Sequence, residues 1–336
     1  MKSSSFIPPS VSRREFVSML ALAGVAAPLS ASLGRDQPSA PSAPAAPALA
    51  ESSPFSIHVM SKPLHKMSYA AAAKLVAETG YKGIDYTVRV AQGHVLPKNV
   101  QEDLPRAIEA AHQAGLKAEM ITTEITNARD PGVETLLRTA AQHGVKYYRL
   151  GYWDYDPKLG IVGTLEKLKP ALNELAALNA SLGIHGAIQN HSGTRVGGPV
   201  WDVYELLRDI DPRWLGMQYD IRHACAEGGQ SWSVGLKLLR PWIRGTVMKD
   251  FKWQQSPGAA TIVNTPLGEG IVPLDAYFKL AAELKLGGPI SMHFEYPPFE
   301  RATQPLSAEE QRAQFAAGMK QDLAVLKAVM AKHRLA

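Results

Sequence analysis

From Phe55 onward, short apolar or β-branched runs alternate with longer segments whose apolar positions recur at helical spacing. That is the pattern of parallel strands joined by helical crossovers. It predicts eight strands, near 55–60, 83–87, 117–122, 146–151, 184–189, 215–219, 243–248 and 289–294. Amphipathic segments are expected at 68–79, 104–114, 132–143, 165–181, 201–210 and 274–284, and 308–332 closes the chain. Ser68 suits a helix N-cap, while Gly80, Gly115, Gly144 and Gly183 each stand just past a helical run, where a left-handed C-cap favours glycine.

Eight such units predict a single-domain (β/α)8 TIM barrel, a fold that typically needs about 250 residues. An open doubly wound sheet is the competing architecture. It would carry a glycine-rich phosphate loop after its first strand, where Ser61-Lys62-Pro63-Leu64 stands instead.

The first fifty residues follow another pattern. Ser12-Arg13-Arg14-Glu15-Phe16-Val17 runs into an uncharged apolar stretch, Met19 to Leu29, and then into an Ala/Pro/Ser run from Pro38 to Ala50. Residues 1–50 are expected to be a signal peptide of the twin-arginine type with an Ala/Pro-rich linker, and 51–336 the barrel. The apolar run is shorter than the roughly 20 residues of a membrane span. The expectation is therefore passage through the twin-arginine export machinery to the periplasm or the exterior, with no stable membrane span after processing.

Composition narrows the chemistry. With 46% hydrophobic residues the chain can bury a substantial core, which excludes wholesale disorder. The lone Cys225 excludes a disulfide framework and a thiolate metal cluster. Of the formal +5 charge, residues 1–50 hold four basic and two acidic side chains, leaving 32 against 29 in the rest. That excess is too small to argue for a nucleic-acid partner.

In a barrel of this kind, chemistry sits where strands end and loops begin. The fifth strand ends Gln189-Asn190-His191, suited to hydrogen-bonding a polar ligand, although Asn190 could instead form an Asx turn. The sixth ends Asp220-Ile221-Arg222-His223, a carboxylate and an imidazole that could share a divalent ion, or in which Asp220 orients His223 or pairs with Arg222. The seventh ends Lys249-Asp250. In the eighth, period-two alternation puts His293 and Glu295 on one side, and a carboxylate after an apolar stretch needs a cation to meet it. Earlier strand ends add His58, Asp85, Glu124, Arg149 and Trp153, with Glu124 the most plausible general base among them. Trp153, Tyr155, Trp232, Trp253 and Tyr296 stand near strand ends, where aromatic rings can stack on a ligand.

Gly80 to Tyr86, Gln189-Asn190-His191, Asp220 to His223, Val247 to Asp250, Leu267-Gly268-Glu269-Gly270 and Phe294-Glu295, in this order, resemble the xylose isomerase-like TIM-barrel superfamily and its sugar phosphate isomerase/epimerase branch. The resemblance covers essentially everything after Ser52. It implies one divalent metal (Mn, Mg, Co or Zn) held by Glu, Asp, His and Glu on strands five to eight, and carboxylates that move a proton beside a carbonyl. Asp220 and Glu295 match ligands, and Lys249-Asp250 matches the family's Lys-Asp pair. Gln189 and Val247 depart, standing where the family has a glutamate and a histidine. With His223 supplying the missing nitrogen, the expected metal set is Gln189, Asp220, His223 and Glu295. Glu124, His191, Lys249 and Asp250 are expected to be catalytic, and His58, Asn190, Arg149 and Trp153 to bind substrate.

The implied reaction removes a C–H proton next to a carbonyl and passes through an enediolate. Reprotonation isomerises or epimerises; loss of a β-leaving group would make a lyase or hydratase acting on oxidised glycosides. Export favours a free sugar, keto-sugar or glycoside over a phosphorylated metabolite. A non-catalytic sugar-binding relative is the alternative from a different class, whereas a DNA-repair nuclease would need a denser set of histidines and acids than this chain carries.

Overall fold

Eight parallel strands close into a ring: β1 (Ser56–Met60), β2 (Gly83–Val88), β3 (Lys117–Thr123), β4 (Tyr147–Arg149), β5 (His185–Gln189), β6 (Leu215–Asp220), β7 (Ile243–Met248) and β10 (Pro289–Met292). Closure is made by β1 against β10, with Ser56 opposite Pro289 and Val59 opposite Met292. The fold is that of a (β/α)8 TIM barrel, and the open sheet is excluded. This computed structural model describes residues 55–300 and 306–336, so the expected signal peptide and linker at 1–50 lie outside the described residues.

The crossovers are α1 (Tyr69–Glu78), α2 (Val100–Gln113), α3 (Val133–Gln142), α4 (Gly160–Leu182), α5 (Val200–Leu207), α6 (Ile221–Gly228) with α7 (Trp232–Leu239), and α8 (Leu274–Glu283); α9 (Ala308–Lys332) follows the last strand. Ser68 caps α1 by accepting the Ala71 amide at 3.3 Å, and α9 opens on a capping box between Ser307 and Glu310. Gly183, at φ +67°, ends α4 in the left-handed conformation that a side chain resists. In α2 the stripe Leu104, Ala107, Ile108 and Ala111 is buried, at the spacing of one helical face. Each large side chain of such a stripe contributes about 1.5–3 kcal/mol. Among the described residues, no helix is long and apolar enough to cross a membrane.

The sequence pattern missed two features. Between β6 and β7 the chain forms α6 and α7, and after β7 an antiparallel hairpin, β8 (Asp250–Ser256) and β9 (Ala259–Thr265), leaves the barrel.

The floor of the ring is filled by buried polar side chains that are partly paired with one another. His58 Nε2 lies 3.0 Å from Ser56 Oγ and 3.3 Å from Glu119 Oε1. An extra residue in β3 helps to aim Glu119: Gly83 pairs with Lys117, but Asp85 pairs with Met120. Beside His58 only glycine fits at position 83, since a Cβ there would lie 2.0 Å from Nδ1. Asp85 Oδ2 accepts hydrogen bonds from Thr122 Oγ1 at 3.0 Å and Ser291 Oγ at 2.7 Å. His58, expected to touch substrate, is therefore a fully buried floor residue, because its place in mid-strand turns it into the packed interior.

Candidate active site

At the C-terminal ends of the strands a hollow of about 100 Å3 is lined by Met60, Lys62, Arg89, Arg149, Tyr152, Gln189, His191, Lys249, His293 and Glu295. Alternation along β5, β6 and the residues after β7 and β10 brings Gln189, Asp220, Lys249 and Glu295 to one place. Lys249 Nζ lies 2.8 Å from His223 Nε2, 3.0 Å from Glu295 Oε2 and 3.3 Å from Asp220 Oδ2. Gln189 Nε2 donates to Asp220 Oδ2 at 2.7 Å, while its Oε1 accepts from Arg149 Nη1 at 3.0 Å and the Tyr152 hydroxyl at 2.7 Å. Arg149 also donates to the Thr123 carbonyl at 2.9 Å.

Asp220 has a second task. It is the N-cap of α6, accepting the His223 amide through Oδ1 at 3.1 Å. The Asp-x-x-His spacing is thus a cap and its third helical residue, and the same geometry brings His223 Nε2 to 3.5 Å from Asp220 Oδ2.

The electrostatics follow from burial and from one lysine. Burial disfavours the Lys249 charge, but Asp220 and then Glu295 more than offset it and hold the ammonium above its ordinary range. Burial pushes the Glu295 carboxyl up, yet the Lys249 ammonium beside it holds it well below the usual carboxylate range. Asp220, fully buried, is pushed up by burial against the pull of Lys249 and the His223 amide. Burial, then the Lys249 charge, lowers His191 to about 4 and takes His223 and His293 well below ordinary imidazoles. All three rings are neutral at pH 7.

Residues 73–328 match the family model described as "Xylose isomerase-like TIM barrel". The chain belongs to this family. Among solved structures, the xylose isomerase-like barrel is similar to the 3-keto-D-glucoside 4-epimerase YcjR from E. coli in its apo form, at 13% identity and a TM-score of 0.60, covering 82% of this chain and 99% of that one. It is also similar to an L-ribulose 3-epimerase (11%, TM-score 0.62, covering 83% and 96%) and to an IOLI protein with a bound zinc atom (18%, TM-score 0.64, covering 83% and 99%). No curated protein matches the chain by sequence.

A zinc-bearing neighbour makes the expected metal set worth testing against its lone pairs. Gln189, Asp220, His223 and Glu295 do converge, but around an ammonium group. Gln189 turns its amide N–H toward Asp220 and spends its carbonyl on Arg149 and Tyr152. His223 Nε2 faces a lysine, which can only donate. Buried Val247, opposite Asp220 in register, offers no donor atom. Among the described residues, no group of three or more His, Cys, Asp or Glu is arranged to hold a metal. The residues as they stand do not fit a divalent ion.

Other expected residues also part company. His191, Arg149 and Lys249 line the hollow. Asp250, expected to be catalytic, instead clamps a loop: its oxygens accept the amides of Phe251, Gly268, Gly270 and Val272 at 2.8–3.0 Å. Gly270 is there because a Cβ would lie 2.2 Å from Asp250 Oδ1. Asn190, expected to bind substrate, straps β5 to β6, accepting the Asp220 amide at 2.8 Å and donating to its carbonyl at 2.9 Å. Glu124 is exposed, accepts the Val90 amide at 3.1 Å and lines a separate cleft with Lys98 and Asp130. One residue past its strand, it turns away from the hollow. Trp153 packs against the hydrophobic core, and Tyr152 is the aromatic residue at the hollow.

Lys62, Arg89 and Tyr152 were missed. Arg89 stands immediately beyond β2 and Lys62 two residues beyond β1, close to the kind of position that singled out Lys249. Arg89 makes no guanidinium hydrogen bond or ion pair among the described residues, and its Nε is buried without a partner.

Proposed function

We propose that this chain is an exported sugar isomerase or epimerase that removes a proton from the carbon next to a carbonyl, on a free sugar, keto-sugar or glycoside. The observation that carries the reading is a neutral imidazole and the unpaired Arg89 guanidinium lining one hollow. His191 Nδ1 lies 2.9 Å from the Ser192 carbonyl. A carbonyl can only accept, so Nδ1 holds the ring proton and Nε2 keeps its lone pair.

With the sugar carbonyl against Arg89 and Arg149, His191 Nε2 takes the neighbouring C–H proton, the C–H pair forms the C=C bond, and the carbonyl π pair moves onto its oxygen. The enediolate oxyanion is met by fixed positive charge rather than by water that must reorient. The proton returns to the other carbon in an isomerase, or to the other face in an epimerase. Tyr152, whose ring centroid lies 4.8 Å from the Arg149 guanidinium, lines the same hollow.

The test is incubation with free sugars, 3-keto-sugars and glycosides in deuterated water. Deuterium entering the α-position is expected for at least one class. Elimination of an alcohol or water from the same intermediate would assign a lyase. Tight binding with no exchange in any class would make the chain a sugar-binding relative. The export half rests on Arg13-Arg14 and the apolar run behind them: residues 1–50 fused to a folded reporter should carry it out of the cytoplasm, and Arg13→Lys with Arg14→Lys should stop it.

A further inference from the structure

We infer that the ammonium of Lys249 occupies the position of a divalent cation, so that the barrel carries its own cation in the chain. Two carboxylates meet the ammonium, Asp220 Oδ2 at 3.3 Å and Glu295 Oε2 at 3.0 Å, and His223 Nε2 stands 2.8 Å from Nζ. His223 Nδ1 is turned to the Ser192 amide at 3.1 Å and Arg222 Nη1 at 2.9 Å, both obligate donors, so the groups that hold Nζ are the two carboxylates. The cluster is nine-tenths buried or more at Lys249, Asp220 and His223, so water does not compete for these bonds.

The two sequence departures account for the substitution. A glutamate at 189 would add an anion beside Asp220; Gln189 adds an amide donor instead, which leaves two carboxylates where a divalent ion asks for more. At 247, a valine side chain leaves the interior of β7 without a ligand, and the next residue on that face, Lys249, reaches the acceptors instead. The fixed cation has one charge, cannot be exchanged and cannot be removed by a chelator. Buried between the two carboxylates, it acts on the substrate through its field, while Arg89 supplies direct hydrogen bonds.

The inference concerns the same hollow as the proton-transfer reading, but its test uses no turnover, so the two can fail separately. Purified wild-type protein would be titrated calorimetrically with Mn2+, Zn2+ and Mg2+ and examined by elemental analysis before and after EDTA dialysis. No stoichiometric ion and no chelator-dependent shift in melting temperature are expected. Lys249→Met empties the centre of the cage, and Gln189→Glu with Lys249→Met restores the third carboxylate; the double variant should bind one Zn2+ or Mn2+ per chain, at least tenfold more tightly than wild type. A wild-type protein that binds one ion per chain, lost in Asp220→Asn, overturns the inference. So does a folded double variant that binds none. If the variants do not fold, the wild-type titration decides alone.

Discussion

At the floor of the barrel Asp85 accepts hydrogen bonds from the Thr122 and Ser291 hydroxyls, and His58 sits between Ser56 and Glu119. At the mouth, one lysine gathers two carboxylates and an imidazole, and Arg89 has no acid partner among the described residues. Both ends bury histidines and acids, so buried polarity does not distinguish them. What does is access. Floor groups, several of them unpaired, such as Asp85 Oδ1 and both ring nitrogens of His185, are sealed in the packed interior, while the mouth keeps the Arg89 donors and a ring lone pair beside a hollow that a ligand can enter.

The strongest way to sharpen this contrast is at His185, a floor residue whose ring, by burial and then by the Arg244 charge, is lowered from 6.5 to about 3. The unfolded chain takes up this proton near 6.5 and the native protein only near 3, so the stability is complete above 6.5 and is lost as the pH falls through 3. At about 1.4 kcal/mol per unit, the span is about 5 kcal/mol. His185→Leu should flatten the acid limb of urea-unfolding stability by that order and leave deuterium exchange per folded molecule unchanged; a large loss of exchange would break the division between floor and mouth. Next, His191→Ala should slow exchange by about 10²–10⁴-fold, the usual worth of a general base, with an unchanged circular dichroism spectrum. Gly83→Ala drives a methyl into the His58 ring and should cost about 1–3 kcal/mol in chemical denaturation, again with little effect on exchange. The smallest effect is expected for Glu124→Gln: stability within about 0.5 kcal/mol and exchange within about twofold. A collapse of activity there would return Glu124 to the site.

The barrel was legible because each strand is a short apolar run bounded by turn residues, and because glycines such as Gly183 mark helix ends by a conformation other residues avoid. The hairpin escaped because its strands, from Lys252 to Thr261, are exposed and lack an apolar face, although Pro257-Gly258 between two extended runs is a turn signal. At the site, strand ends identified Gln189, His191, Asp220, Lys249 and Glu295. Partners were beyond reach: nothing along the chain says that Asn190 binds the Asp220 backbone, or that Asp250 is spent on four amides. Side-chain type suggests chemistry, but only the fold tells which lone pairs are already taken.

The hairpin has an evolutionary consequence. Asn264 on β9 receives the Arg222 guanidinium at 2.6 Å and donates to the Glu295 carbonyl at 3.0 Å, so the base of the arm is anchored at the rim while its tip stands in solvent. An appendage fastened at its root and unconstrained beyond it is a graftable module. Lengthening or exchanging it offers natural variation a route to new ligand preferences that leaves the eight-stranded chassis untouched.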